Sequence, residues 1–425
     1  MWTICEMEYI PFTTLIEDEV FLPSSVDNKK NVNYMKTELK ETLTKNILPF
    51  WSEKMIDQEN GGFYGRIDGR GEVHPQAEKG AILNARILWA FAAAYRVLRK
   101  PEYLDVALRA KQYIIGHFID HEYGGVYWSL DYKGQPLDTK KQSYAIGFTI
   151  YGMSELARAT GDEEALSWAQ RLFRDLEEHA FDSDDNGYVE ALTRDWQPIA
   201  DMRLSDKDEN GAKTMNTHLH IIEPYTNLLR VWRDPLLEKK TRNLLDIFLN
   251  TILNKETFHL DLFFDDQWQG KRNIQSFGHD IEASWLLHET ALVLADKETI
   301  DRVEGIIPRL AEAAREGLRT DGAMVYEKWT DTGVVNENRD WWVQCECIIG
   351  HVDLYQYFGE RKDLEVAENC WTYVKQHLLD NENGEWHWGV RPDGSLNLDD
   401  DKAGFWKCPY HNARLCLEII ERPFE

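Results

Sequence analysis

The chain repeats itself, and this repeat constrains its fold more than any other feature of the sequence. A short segment that joins a glycine turn to alternating aromatic or β-branched residues recurs, and three of the four intervals between its clear copies are 62 or 63 residues long. Such a segment is typical of a β-hairpin. The clear copies begin at Asn60, Tyr123, Asn186, Asp321 and Asn383, and a weaker copy, LDLFFDDQWQG, begins at Leu260. Six copies at a nearly fixed period predict a repeat architecture.

Two helical segments lie between consecutive hairpins. The clearest pair is an Ala- and Leu-rich segment from Glu78 and a second segment that Pro101 opens, as proline often does at a first helical position. The other pairs begin near Ser143 and Gly161, Lys213 and Asp234, His279 and Lys297, and Asp340 and Arg361, and a first helix from about Asn33 and a last from about Cys408 complete the set. Twelve helices in six pairs predict an all-α (α/α)6 barrel with the short hairpins at one end. The helix after each hairpin is the more apolar one and is predicted to form the inner ring.

The repeats are predicted to form a single domain. No linker rich in Pro, Gly or Ser divides residues 31–425. Residues 1–30 lie outside the repeats and are predicted to be a poorly ordered N-terminal extension. This extension is acidic and lacks the features of a signal peptide, and the six cysteines contain no CxxC pair. Both observations favour a cytoplasmic protein with free thiols.

The charge of the chain argues against several partners. A formal net charge of −26 repels phosphate backbones and anionic lipid, so neither nucleic acid nor a membrane is expected to bind. The sequence contains no run of eighteen apolar residues, so a membrane-spanning helix is not predicted. The 16 Trp and 18 Tyr offer flat faces for sugar rings, although most are expected to fill the core. We therefore expect a small-molecule partner and a monomer or weak homodimer.

Unusual polar and aromatic residues fall near the N-terminal ends of the predicted inner helices. They are Arg86 on the first, Asn216, His220 and Glu223 on the third, His279 and Glu282 on the fourth, Trp341 and Trp342 on the fifth, and Trp406 and His411 at the sixth. In a closed barrel these ends meet at one mouth. Three imidazoles and the positive ends of helices around one cavity suit a reaction that develops negative charge.

Some of the polar features have simpler explanations. A lone helical histidine is more often structural than catalytic, and only its recurrence in three repeats favours function here. His218 is predicted to be structural, because it lies two residues from His220 and points to a different side of the helix. No metal or nucleotide motif is present, so no metal or cofactor is expected. The long polar segment from Arg194 to Thr214 is either a lid or binding loop or a disordered insertion.

Four segments resemble a known family. AEKGAILNAR, MNTHLHIIEPYTNL, FGHDIEASWLL and WKCPYHN are similar to the N-acylglucosamine 2-epimerase superfamily, and most closely to its branch of cellobiose 2-epimerases. The resemblance runs from about Met35 to the C-terminus and implies an (α/α)6 barrel, in agreement with the repeats. It also implies a metal- and nucleotide-independent epimerisation at C2 of the reducing-end sugar, glucose to mannose, in β-1,4-linked disaccharides such as cellobiose, lactose and mannobiose.

The resemblance assigns roles to individual residues. It implies that His279 and His411 are the acid/base pair and that His220 and Arg86 stabilise an enediolate. The substrate contacts that it implies are Tyr144, Asn216, Glu282, Trp342 and Trp406. The residue types fit the chemistry, since imidazole titrates near neutrality and can remove the C2 proton of an open-chain aldose.

Three alternatives remain open at this point. An N-acylglucosamine 2-epimerase or a mannose isomerase would use the same enediolate on a monosaccharide. A glycoside hydrolase built on an (α/α)6 barrel would need two carboxylates flanking the bond, whereas the convergent residues here are histidines. A sugar-binding module without catalysis would not need three histidines. The long segment after Arg194 and the additional aromatic residues favour a disaccharide.

Overall fold

The structure is a computed structural model that describes residues 25–205, 208–271 and 273–423. Over these residues, twelve helices form an inner and an outer ring of six, which confirms the predicted (α/α)6 barrel. In chain order the helical segments are α1 (Ser25–Thr42), α2 (Leu48–Glu53), α3 (Ala81–Leu98), α4 (Pro101–Tyr113), α5 (Ser143–Thr160), α6 (Glu163–Asp175), α7 (Met215–Leu229), α8 (Pro235–Ile247), α9 (Phe277–Leu294), α10 (Lys297–Glu304), α11 (Ile307–Ala314), α12 (Trp341–Phe358), α13 (Arg361–His377) and α14 (His411–Glu421). Two outer helices are each divided, into α1 with α2 and into α10 with α11.

The inner ring consists of α3, α5, α7, α9, α12 and α14, as predicted. Each of these helices packs against the next, and α14 returns to α3. Every residue of α3 from Ala81 to Ala94 is buried, whereas the outer helix α6 buries a single stripe. This difference is expected, because an inner helix is surrounded by protein and an outer helix has one wet face. Among the described helices, α3 alone is long and apolar enough to cross a membrane, and its burial in the barrel accounts for that composition.

A belt of short strands surrounds the N-terminal ends of the inner helices. Its strands are β1 (Lys79–Gly80), β2 (Ser129–Leu130), β3 (Pro136–Asp138), β4 (Lys141–Gln142), β5 (Ala191–Leu192), β6 (Lys213–Thr214), β7 (Phe263–Phe264), β8 (Gly270–Lys271), β9 (Ile274–Ser276), β10 (Glu327–Trp329), β11 (Val335–Asn336), β12 (Arg339–Asp340) and β13 (Gly389–Val390). The strand before each of five inner helices pairs with the hairpin of the next repeat. A single antiparallel bridge between Ile67 and Ala403 joins the sixth repeat to the first and closes the belt.

Ion pairs fix most inner helices to the belt. In five repeats a cation next to the belt strand bonds an aspartate in the hairpin of the same repeat. The pairs are Lys79–Asp57 (2.9 Å), Lys141–Asp120 (2.9 Å), Lys213–Asp182 (2.7 Å), Arg339–Asp321 (3.0 Å) and Lys402–Asp380. Both side chains are fully buried in the first two pairs. Because a misplaced partner would leave a buried charge uncompensated, these pairs specify where each inner helix starts.

His218 has the structural role that its spacing predicted. Its Nε2 accepts a hydrogen bond from the backbone N–H of Tyr188 at 2.9 Å, and its Nδ1 lies 2.7 Å from the carbonyl oxygen of Thr214. Burial lowers the pKa of His218 to about 4, so the ring is neutral. In the next two repeats Asp280 and Gln344 accept the equivalent hairpin N–H groups, which identifies this position as a structural one in the repeat.

The first helix begins earlier than predicted. Helix α1 starts at Ser25 rather than near Asn33, and it therefore crosses the predicted boundary at residue 31. Residues 25–32 read SVDNKKNV, which offers no apolar periodicity from which a helix could be predicted. The extension is predicted to be poorly ordered, and its residues before Ser25 lie outside the described ones. Five of the six cysteines are free and buried, and Cys5 lies outside the described residues.

Candidate active site

The candidate residues occupy equivalent positions on the inner helices. The sixth helical residue is Arg86 in α3, His220 in α7, Glu282 in α9 and Glu346 in α12. The second helical residue is Tyr144 in α5, Asn216 in α7 and Trp342 in α12. These positions are one helical turn apart, and they face the same axis because the inner helices run in the same direction. The repeat itself therefore gathers the site.

A chain of ring contacts joins the predicted histidines and aromatic residues. The centroid distances are 6.2 Å for Trp406–Tyr144, 5.1 Å for Tyr144–His220, 6.1 Å for His220–Tyr410, 4.6 Å for Tyr410–His411, 5.6 Å for His411–Trp342 and 4.7 Å for Trp342–His279. The structure thus brings together the six predicted residues that carry rings. Tyr410 links them and was not identified from the sequence.

Arg86 is a buried cation within this cluster. Its guanidinium donates to the Tyr144 hydroxyl at 2.9 Å and to the Trp406 carbonyl oxygen at 3.3 Å, and its Nη1 lies 3.4 Å from the Cys408 thiol. The guanidinium carbon also lies 4.1 Å from the centre of the Phe148 ring. These neighbours are neutral, so the positive charge of Arg86 is available to an anion formed next to it.

His220 lies at a kink in α7. Its backbone angles (φ −92°, ψ 16°) are not helical, because Pro224 has no N–H to bond the carbonyl oxygen of His220. Gly147 of the neighbouring helix α5 accommodates that carbonyl, since a Cβ atom at Gly147 would lie 2.4 Å from it. The His220 ring is held on its other side by Glu223, whose Oε2 lies 3.1 Å from Nδ1.

His279 and His411 differ in the partner of Nδ1. The Nδ1 atom of His411 lies 2.7 Å from the carboxylate of Glu346, whereas that of His279 lies 2.7 Å from the hydroxyl of Ser276. Burial lowers the pKa of His279 to about 3. Burial, with Arg414 and Arg86 nearby, lowers the pKa of His411 well below its ordinary value. Both imidazoles are therefore neutral near pH 7 and able to accept a proton.

A cavity of about 330 Å³ lies next to the cluster, on the side of the belt. Asn216 and His279 line it, and the other seven predicted site residues do not. The Oδ1 atom of Asn216 and the Oε2 atom of Glu282 are buried and bond no other described residue. Residues 202–204 of the long polar segment form part of the cavity wall. This position supports the interpretation of that segment as a binding loop.

Glu190 is a buried carboxylate in the cavity wall that the sequence did not single out. Its oxygens accept hydrogen bonds from the N–H and hydroxyl of Thr214 and from the hydroxyl of Thr217, at the first turn of α7. Burial raises its pKa to about 7 in spite of these bonds. Glu190 therefore anchors the start of the helix that carries Asn216 and His220 while keeping a proton more readily than an ordinary glutamate.

The substitution Glu190→Gln should stabilise the protein in a pH-dependent way. Since the pKa is raised, protonation of Glu190 contributes folding stability that is complete below pH 4.5 and is lost as the pH rises through 7. Glutamine mimics the protonated acid, so the gain over wild type should grow between these pH values and reach at most about 3 kcal/mol. Thermal unfolding measured from pH 4.5 to 8 tests this, with the exposed Glu41→Gln as control. A difference in Tm that is constant over the range would contradict it.

One group of side chains has the spacing of a metal site. The ligand atoms of Glu282, Glu346 and His411 lie within 4.8 Å of one another. However, Arg414 donates to both glutamates, and so a cation of the protein already pairs with them. The donor set therefore fits a guanidinium, and the absence of a metal cofactor stays a prediction.

The sequence did not reveal the residues that support the histidines. Glu346, Ser276 and Arg414 hold the histidines or their partners but were not identified. Of these three residues, only Glu346 could have been found from the sequence, because it is the sixth residue of its inner helix, like Arg86 and His220. Ser276 and Arg414 have no counterpart in the other repeats that would have distinguished them.

The barrel and its histidine cluster match a known family. Residues 62–414 match the family model of the N-acylglucosamine 2-epimerases (GlcNAc 2-epimerase). The chain therefore belongs to the N-acylglucosamine 2-epimerase family and is an enzyme of the epimerase and isomerase class. This confirms the resemblance that the four sequence segments indicated.

Within the family, the chain is similar to several cellobiose 2-epimerases. It is 60% identical over 386 residues to the cellobiose 2-epimerase of Bacteroides fragilis, which covers 91% of this chain and 98% of that protein. It is 39% identical over 389 residues to that of Ruminococcus albus, covering 91% of this chain and 99% of that protein. The solved structure of cellobiose 2-epimerase from Bacillus thermoamylovorans superimposes with a TM-score of 0.88 at 40% identity, covering 92% of this chain and all of that one.

Proposed function

We propose that this enzyme reversibly epimerises C2 of the reducing-end sugar of β-1,4-linked disaccharides, interconverting glucose and mannose. The observation that carries the proposal is the convergence of His279 and His411 on the ring of Trp342, at centroid distances of 4.7 and 5.6 Å. Two imidazoles from different inner helices, one neutral and the other protonated in the complex with the sugar, supply the base and the acid that inversion at a carbon requires. The names of the similar proteins support the same reaction.

The reaction proceeds on the open-chain sugar, in which the C2 proton lies next to the C1 aldehyde. One of the two histidines takes this proton, the electrons of the C–H bond form a C1–C2 double bond, and O1 becomes negative. The other histidine, which enters the step as an imidazolium with a proton taken from solvent, then protonates C2 from the opposite face and becomes neutral, and the aldehyde is restored. The product is the C2 epimer, and the two histidines exchange roles in the reverse direction.

Fixed charge and hydrogen bonds stabilise the cis-enediolate. Arg86 is fully buried between aromatic rings, so its charge acts in a region of low dielectric constant. His220, whose Nδ1 bonds Glu223, supplies a second donor once its Nε2 has taken up a proton. Asn216 and Glu282 have buried oxygens that bond no other described residue, and they are suited to receive sugar hydroxyl groups. Tyr144, Trp342 and Trp406 provide ring faces for the sugar.

The cavity supports a disaccharide over a monosaccharide. Its volume of about 330 Å³ lies outside the buried histidine cluster and leaves space for a second ring. Trp329 and Trp388, which lie on the belt, line this outer part together with Asn338. Flat indole rings and an amide are the groups that bind neutral sugar rings in proteins. The reducing-end ring would therefore lie at the histidines and the second ring at the belt.

Cellobiose, mannobiose and lactose should be better substrates than free glucose. We expect a higher kcat/KM for the disaccharides, and we expect Trp406→Ala to weaken disaccharide binding because it removes a ring face at the mouth. Trp196→Ala is a suitable control, since Trp196 stacks on His179 and makes none of the ring contacts that join Trp406 to the histidines. Separation of the products distinguishes the epimer from a ketose. A higher kcat/KM for the free monosaccharide would favour a monosaccharide epimerase or mannose isomerase, and a rise in reducing ends would indicate hydrolysis.

A further inference from the structure

We propose that Arg414 is a positioning residue that holds His220 and His411 in the tautomer needed for proton transfer, through the carboxylates of Glu223 and Glu346. The proposal rests on the function proposed above for these histidines. It concerns a side chain that lies behind the histidines and to which the reaction as described assigns no role.

Arg414 is the centre of a buried network. Its side chain is fully buried, and its Nη1 donates to Glu223 while its Nη2 donates to Glu282 and, at 2.7 Å, to Glu346. These glutamates come from the inner helices α7, α9 and α12. The guanidinium also lies 4.1 Å from the centre of the Tyr410 ring. A single planar cation thus joins four of the six inner helices, which a lysine ammonium group could not do with the same geometry.

Two of the three glutamates continue the network to the histidines. Glu346 Oε1 accepts from Arg414 and lies 2.7 Å from Nδ1 of His411. Glu223 bonds Arg414 through one oxygen, and its other oxygen lies 3.1 Å from Nδ1 of His220. Each histidine is therefore one carboxylate away from the same guanidinium.

The protonation of these carboxylates decides the histidine tautomer. An ionised carboxylate can only accept, so Nδ1 must carry the hydrogen, and Nε2 of the neutral ring remains free to accept a proton. A protonated carboxylic acid would instead donate to Nδ1 and place the ring hydrogen on Nε2. A histidine in that second tautomer cannot act as a base through Nε2.

Arg414 is the group that most strongly favours the ionised form of both carboxylates. Burial raises the pKa of Glu346, and Arg414 opposes that rise. Burial would also raise the pKa of Glu223, but Arg414 and His220 lower it to about 2. Other titratable groups that face the network include His279, Arg86, Tyr144, Tyr151, Tyr410 and Cys345. Among these neighbours, Arg86 is the only other permanent cation, and it bonds no glutamate of the network in the described structure.

The same helices provide a matched control. Arg422, two turns beyond Arg414, donates to Asp353 at 2.6 Å, and Asp353 lies 2.8 Å from Nδ1 of His288. Asp353 in turn lies two turns beyond Glu346 on α12. This is the same order of arginine, carboxylate and imidazole, but it lies at the far end of the barrel and lines none of the cavity.

The test compares Arg414→Lys and Arg414→Met with Arg422→Lys and Arg422→Met. For the Arg414 variants we expect kcat to fall by about 100-fold or more with a much smaller change in KM, because the substrate contacts stay. The acid limb of the kcat/KM profile should move to higher pH by about one unit or more, since the carboxylates lose their cation. The Arg422 variants should lose thermal stability and keep both kcat and the pH profile. An Arg414→Lys enzyme that folds and keeps the wild-type kcat and profile would overturn the proposal.

A second measurement does not depend on activity. In protein labelled with ¹⁵N-histidine, the nitrogen shifts report the tautomer of His220 and His411, assigned through the His220→Asn and His411→Asn variants. We expect hydrogen on Nδ1 in the wild type and a shift towards Nε2–H in Arg414→Met. The same tautomers in both proteins would reject the role of Arg414, even if the wild type were found to act on another sugar. A wild type without epimerase activity but with the expected tautomer change would reject the proposed function alone.

Discussion

Replacing His279 or His411 by alanine should reduce epimerisation by about 10³- to 10⁴-fold, because inversion needs one histidine to remove the C2 proton and the other to return a proton to the opposite face. The two imidazoles act as one unit, so the double variant should be little worse than either single variant. The rate of product formation, followed by chromatography of the disaccharide epimers, measures this effect. His218→Asn is the control, since the ring of His218 bonds the Tyr188 backbone rather than the substrate region.

The same reaction in D2O tests whether two bases are used. The incoming proton should come from a histidine that has exchanged with solvent, so the epimer formed should carry deuterium at C2. One of the single variants should still exchange the C2 hydrogen of its preferred epimer without inverting it. Product that keeps the original C2 hydrogen would instead indicate one shuttling base or a transient oxidation elsewhere on the sugar. The paired roles of His279 and His411 would then be wrong.

Gly147→Ala should cost about 100-fold in kcat although Gly147 touches no substrate. A Cβ atom at this position would lie 2.4 Å from the carbonyl oxygen of His220, so α5 and α7 must move apart or the kink at His220 must change. Either movement displaces the His220 ring from Glu223 and from the enediolate. We expect KM to change less than kcat, because the ring faces and Asn216 lie on parts of the helices that the clash does not touch.

Gly161→Ala separates this effect from a general loss of stability. Gly161 ends the same helix with φ +77°, and a Cβ atom there would meet no other atom within 4 Å. Its replacement should destabilise the protein by about 1 kcal/mol through backbone strain alone and leave kcat unchanged. Equal losses of kcat in the two variants would show that Gly147 has no specific effect on His220.

The sequence predicted the barrel well because its signals are periodic. Hairpins at a period near 63 residues required two helices between them, and the contrast between the apolar α3 and the striped α6 identified the inner ring. The boundary at α1 was missed because residues 25–32 are polar and their helix carries no pattern. Periodicity therefore locates elements but fails where an end of the chain departs from the repeat.

For the site, the sequence located the residues that face the substrate better than those behind them. His220, His279 and His411 stand out as polar residues in apolar helices, and the structure joins them through ring contacts. Arg414 and Glu346 were not identified from the sequence, because a charged residue in a helix is ordinarily exposed to solvent. The three carboxylates that Arg414 bonds lie 68 to 191 residues away in the chain. Such a network is defined only by three-dimensional contact.

The way in which the barrel closes has a consequence for its biosynthesis. Five of the six helix pairs are joined by continuous chain, but the pair of α1 and α14 joins the two ends of the described structure, where Lys36 donates to the carbonyl oxygen of Arg422 at 3.1 Å. The first described helix therefore remains without this partner until the last described helix has been translated. Because His411 and Arg414 lie on that last helix, a nascent chain lacks part of the proposed reaction centre until the helix has left the ribosome. Catalysis and ring closure thus arise in the same final step of folding.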